Sequence, residues 1–239
     1  MVTSVLWGVS YWKSENLPRL SPLTQIFSEP LQTAVTESSF HLASKAQDYT
    51  LQPLYDYDIS GVVVSYHESD SWRDRVHKRW GDYINTKDLC VIWGKNLTSS
   101  YLSDLDFSHG EWTCYVKTSN RTAWENFDMN GLSNNHLIPA NDSVSKIIAE
   151  ARVGDEIHIK GKLVNYNVNG GPYRNTSITR DDRENGACEI IYVTGAQILK
   201  RHNIVWIELA RVFKILTALS LLGILFCMFV KSEIKLSGL

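Results

Sequence analysis

Glu156–Tyr166 reads EIHIKGKLVNY, and the reading of this stretch decides the fold. Ile157, Ile159, Gly161 and Leu163 fall on one face, with Glu156, His158, Lys160 and Lys162 on the other. That period of two marks a half-buried β-strand. Immediately upstream, Val153-Gly154-Asp155 closes a short helix expected over Ser143 to Arg152. Asn141 or Asp142 is placed to cap it, and Val144, Ile147 and Ile148 face inward. Downstream, Asn169-Gly170-Gly171-Pro172 makes a turn and Asn175 to Arg180 is expected to pair back as a strand. Glu184-Asn185-Gly186 turns again, and Cys188 to Leu199 supplies the last strand.

Toward the N-terminus, Ile59 to Tyr66 (ISGVVVSY) is compact and β-branched, as a central strand requires. Gly61 within it points to a bulge or a close approach of two backbones. Leu89 to Trp93 and Glu111 to Thr118 read as further strands. Between them, Ser71 to Ile84 has Trp72, Val76, Trp80 and Tyr83 at helical spacing, which predicts a helix packed by its tryptophans. Residues 1–48 contain Pro18, Pro22 and Pro30 with no sustained period, and are expected to form an extended arm or linker. Residues 49–200 then form one mainly β domain, expected as a small antiparallel barrel of the oligonucleotide/oligosaccharide-binding kind with one or two short helices. A β-sandwich is the alternative.

After this domain the composition changes. Val212–Val230 reads VFKILTALSLLGILFCMFV, with Lys214 as its only charge. At about 1.5 Å per residue the run is roughly 28 Å long, close to the hydrocarbon thickness of a bilayer. The expectation is a single-pass transmembrane helix over 204–231 followed by a short tail, 232–239. Lys200, Arg201, Arg211 and Lys214 precede the apolar run, against Lys231 and Lys235 after it. This excess, with a poor signal-peptide pattern in the first eighteen residues, leans toward a cytoplasmic domain.

The net charge of −2 argues against a dedicated nucleic-acid binder. Eight Trp, eleven Tyr and seven Phe suit a β-rich domain or an interaction surface. Cys227 lies in the apolar run. Cys90, Cys114 and Cys188 allow one bridge and a free thiol, or three thiols in a reducing compartment. The sequence has no CxxC, no Cys/His zinc spacing and no cofactor motif, so neither a metal nor a cofactor is expected.

Two stretches carry a resemblance: NNHLIPAN at Asn134–Asn141 and TSITRDDRENGACEIIYV at Thr176–Val193. With LQPLYDYDISGVVVSY at Leu51–Tyr66 and LCVIWG at Leu89–Gly94, they resemble a family of uncharacterised bacterial membrane-associated proteins. The resemblance implies one domain at a bacterial inner membrane. It brings no activity, ligand or site residue with it. Members of that family often carry an N-terminal anchor and an extracytoplasmic domain, a pattern from which this N-terminus departs.

Four residues suit chemistry. His136 titrates near neutrality and fits a general base. Asp181 and Glu189 flank an expected hairpin, and Glu189 completes a small polar site if it turns toward His136. Cys188 becomes a nucleophile only beside a histidine in an electropositive setting. Each has a plainer role: a loop-pinning imidazole, a solvated hairpin end, a buried or bridged cysteine. Arg180 and Asp182 are the binding candidates of that hairpin. Trp72 and Arg73 are those of the basic helix, whose cations suit anionic lipid headgroups. No complete catalytic signature emerges. The leading expectation is therefore a membrane-tethered accessory protein whose partners are the bilayer and a membrane or envelope protein. A membrane-anchored hydrolase or metal-dependent enzyme is the alternative.

Overall fold

The computed structural model describes residues 2–180 and 188–237. These form two compact units, Arg19–His202 and the pairing of Met1–Pro18 with Asn203–Leu239.

The larger unit is mainly β. Its elements are β1 (Leu31–Ala34), β2 (Phe40–Ser44), β3 (Gln47–His67), α2 (Val76–Trp80), β4 (Lys87–Ile92), β5 (Asp106–His109), β6 (Cys114–Lys117), α3 (Arg121–Asn126), β7 (Leu132–Pro139), α4 (Asp142–Glu150), β8 (Asp155–Val168) and β9 (Glu189–Arg201). The remaining helices, α1 (Val2–Glu15) and α5 (Ile204–Ser237), make up the other unit.

β3 organises the sheet. It pairs antiparallel with β4 and, over Tyr49 to Val62, with β8. β4 pairs with β7, β7 runs parallel to β9, and β9 pairs antiparallel with β8. Two glycines permit the close approaches. A Cβ on Gly61 would lie 2.5 Å from the Ile92 carbonyl oxygen, and one on Gly161 would lie 2.2 Å from that of Tyr192. Side chains alternating across these strands separate two apolar clusters. One gathers Tyr57, Val91, Trp93, Leu137, Leu163 and Ile191 around α4. The other gathers Tyr49, Leu51, Ile138, Val164, Tyr166 and Ile190.

The alternation of β8 is as expected except at Glu156, which is buried rather than outward. Its carboxylate accepts hydrogen bonds from the Leu23 amide at 3.1 Å and from His202 Nε2 at 2.6 Å, and these offset the loss of water. α4 also forms where expected, with Asn141 Oδ1 capping the amides of Ser143 and Val144.

Other elements differ from expectation. The helix expected over 71–84 is only Val76–Trp80. The Asp74 carboxylate binds the Val76 and His77 amides and so fixes where the helix starts. Gly81, at φ +68°, ends it. Trp72 is 80% exposed and Trp80 71%, so the tryptophans do not pack on the sheet. Within α2 itself, His77 is the buried side chain. The strand expected at 111–118 begins at Cys114 and pairs only with β5, as a separate ribbon. Residues 175–180 form no strand. There the Thr176 hydroxyl, instead of a backbone carbonyl, accepts the Ile190 amide. Nor are residues 1–48 simply an extended arm. α1 occupies their start, β1 pairs antiparallel with Tyr55–Asp58 of β3, and β2 forms a hairpin with β3 through Lys45 and Ala46, both at positive φ.

In the smaller unit α1 packs along α5, and the end of α1 meets the start of α5. There Asn203 Nδ2 donates to the carbonyls of Ser14 and Asn16, at 3.1 and 2.9 Å. Among the described residues, the buried side chains of this unit are small or polar (Ser10, Ser14, Asn203, Ala210, Thr217). Leu219, Leu222, Phe226 and Phe229 are exposed. The apolar part of α5, Ile204–Phe229, is 26 residues long, enough to cross a membrane.

Candidate functional site

On β4 and β7 the alternation places Asp88 directly across from His136, and Cys90 across from Asn134. This face of the sheet would ordinarily be apolar. Here it carries a buried polar cluster, covered by three segments. The α2 segment brings Asp74, His77 and Asn85. The β5–β6 ribbon brings His109 and Trp112, held down by a disulfide between Cys114 and Cys90. The stretch after β8 brings Arg174, whose backbone bridges to Tyr166.

Asp88 and His136 are the centre of this cluster. His136 Nδ1 lies 2.8 Å from Asp88 Oδ1, and Asn85 Nδ2 donates to the same oxygen at 2.7 Å. Burial alone would push the Asp88 carboxyl up, but His136 and these hydrogen bonds hold it at about 2. Burial alone would likewise lower His136, but the Asp88 carboxylate raises it, while Arg174 works in the opposite sense. Arg174 Nη2 lies 2.7 Å from His136 Nε2. A guanidinium can only donate, so its close approach opposes a proton on Nε2, while Asp88 favours the charged ring. Arg174 also reaches Asp82 Oδ2 at 3.3 Å and the Tyr166 hydroxyl at 3.2 Å, and it lies over the Trp112 ring.

A second carboxylate orients two more histidines. Asp74 Oδ2 lies 2.6 Å from His67 Nε2 and 2.7 Å from His77 Nδ1. The Trp112 ring packs against His77 with centroids 4.2 Å apart. His77 Nε2 and Asp88 Oδ2 are buried and, among the described residues, have no hydrogen-bond partner. His77, Asp88 and His136 each offer one ligand atom within 4.8 Å of the others, and so do His67, Asp74 and His77. Among the described residues, these are the ones placed to hold a metal ion.

Of the residues expected from sequence, His136 is at the centre and Cys188 is beside it. The Cys188 sulfur lies 3.4 Å from Asn134 Nδ2, and it also acts on the His136 imidazole. Glu189 does not join them. It pairs in register with Asn135, whereas His136 pairs with Ile190, so Glu189 points through the opposite face of the sheet. There it binds Arg180, whose guanidinium also donates to the Tyr57 hydroxyl at 2.5 Å. Asp181 and Asp182 lie outside the described residues. Trp72 and Arg73 are exposed, the guanidinium 5.2 Å from the ring centre. Sequence reasoning missed Asp74, His77, Asp88, His109, Trp112 and Arg174. The one local signal was Asp74-x-x-His77 at the head of a short helix. Asp88, entering an otherwise apolar strand, was a weaker one.

No protein-family model, curated protein or solved structure matches the chain.

Proposed function

We propose that this chain is a membrane-tethered accessory protein. In it, α5 holds an interaction domain against the bilayer, and the Trp72–Trp80 segment of that domain rests on anionic lipid headgroups. The observation that carries the reading is the run Ile204–Phe229, an apolar helix of membrane-spanning length whose large side chains face outward unpartnered. In water such a surface would aggregate, whereas among acyl chains it is at home.

Three further features support the proposal. The pairings β3–β4–β7–β9–β8 return to β3, with α4 falling between β7 and β8, as in an oligonucleotide/oligosaccharide-binding barrel. The Cys90–Cys114 bridge favours an oxidising compartment, and so an extracytoplasmic domain rather than the cytoplasmic one toward which the flanking charges lean. Trp72 and Trp80 are exposed beside Arg73, Arg75 and Arg79, the pairing of amphipathic rings with cations that suits a membrane interface.

The test is hydrogen exchange on the full-length protein in nanodiscs. Residues 71–81 should exchange more slowly in phosphatidylglycerol than in phosphatidylcholine, and Trp72→Ala with Trp80→Ala should abolish the difference. Equal exchange in both lipids would remove the lipid contact from the proposal.

A further inference from the structure

We propose that His77, Asp88 and His136 together bind one divalent transition-metal ion of the zinc class, fastening the α2 segment to the sheet. The three side chains come from three places in the chain: α2, β4 and β7. His77 and Asp88 are fully buried, and His136 is 1% exposed.

The ligand chemistry is already arranged. Asp74 Oδ2 accepts a hydrogen bond from His77 Nδ1–H at 2.7 Å, which leaves the Nε2 lone pair buried and, among the described residues, without a hydrogen-bond partner. A carboxylate on the far nitrogen of a metal-binding histidine fixes its tautomer and makes it a better ligand. Asp88 offers Oδ2, likewise buried and unpartnered, while Asn85 holds its other oxygen. His136 supplies Nδ1 by releasing to solvent the proton that faces Asp88. The ring then keeps its proton on Nε2, so Arg174 leaves that nitrogen and keeps Asp82 and the Tyr166 hydroxyl.

Two imidazoles and a carboxylate suit zinc and its neighbours, and do not suit calcium or magnesium, which take oxygen ligands. The set leaves a fourth position for a water. Ligand atoms up to 4.8 Å apart must draw together by up to about 1.5 Å to reach tetrahedral metal bond lengths near 2.0 Å. Cys188 is outside the set, which separates this centre from the sulfur-rich sites typical of structural zinc.

The test uses full-length protein in detergent, stripped with a chelator and titrated with Co²⁺. The expected result is one Co²⁺ per chain with visible absorption of a nitrogen–oxygen site and no thiolate charge-transfer band. X-ray absorption of the Zn²⁺ form should show two imidazoles and no sulfur. Both measurements use the wild-type chain, so they stand whether or not a variant folds. His77→Gln should abolish uptake, and Asp74→Asn should weaken it about 10- to 100-fold. His41→Gln, at an exposed histidine of β2 paired with Asp48, should leave it unchanged. No saturable uptake by the wild type, a sulfur signal in the metal's spectrum, or full uptake by a folded His77→Gln variant would overturn the proposal.

Discussion

Lys87 Nζ donates to the Ala151 carbonyl at 2.8 Å from a side chain that is almost wholly buried. It also reaches the Ala149 carbonyl at 3.3 Å. An ammonium on β4 thus satisfies the carbonyls at the C-terminal end of α4 and complements its dipole. Lys87→Met keeps the stem and removes the charge. It should cost about 1–3 kcal/mol, because the helix end is left buried and unsatisfied. Urea unfolding of the variant against wild type measures this directly.

The disulfide closes a loop between residues 90 and 114. On a chain-entropy account a loop of that size is worth about 3 kcal/mol. Cys90→Ser with Cys114→Ser should lower the melting temperature and loosen the β5–β6 ribbon, seen as faster exchange at His109 and Trp112. Cys188→Ser, which breaks no bridge, should change stability little.

Two buried aspartates give stability opposite pH dependences. Burial raises Asp155 to about 6, against the pull of the Arg152 amide and of Arg201. Its folded form therefore holds a proton that the unfolded chain releases near 4. Stability should fall as pH rises from about 4 to about 6, by about 3 kcal/mol, and Asp155→Asn should flatten that slope. Asp88, held at about 2, contributes in the other direction. Its share is fully present above pH 4 and is lost as pH falls toward 2, by about 2 kcal/mol. Denaturant titrations at pH 3, 5 and 7 separate the two.

Gly61 and Gly161 mark where β3 and β8 meet their neighbours most closely. Alanine at either position drives a methyl into a backbone carbonyl and should cost more than about 2 kcal/mol. At Gly8, where nothing lies within 4 Å, alanine should be harmless. Thermal melts of the three variants compare these positions.

Much of the sheet was legible because its signals are local. The alternation of Ile157, Ile159 and Leu163, the cap at Asn141 and the glycine in ISGVVVSY each depend on a few neighbouring residues. The aromatic spacing from Trp72 to Tyr83 misled because helical spacing does not say which face is buried. Asp74 and Gly81 cut that helix to five residues and turned His77 inward instead. Glu156 defied its pattern because its partners, Leu23 and His202, lie far away in sequence. The candidate site was hidden for the same reason. His136 stood out by its residue type, but Asp74, His77 and Asp88 acquire meaning only when α2, β4 and β7 come together.

The most direct test of the tether is the fate of the full-length chain in isolated membranes after an alkaline carbonate wash and ultracentrifugation without detergent. It should stay in the membrane pellet, and a chain ending at His202 should not. Release of the full-length protein into the supernatant would contradict the account.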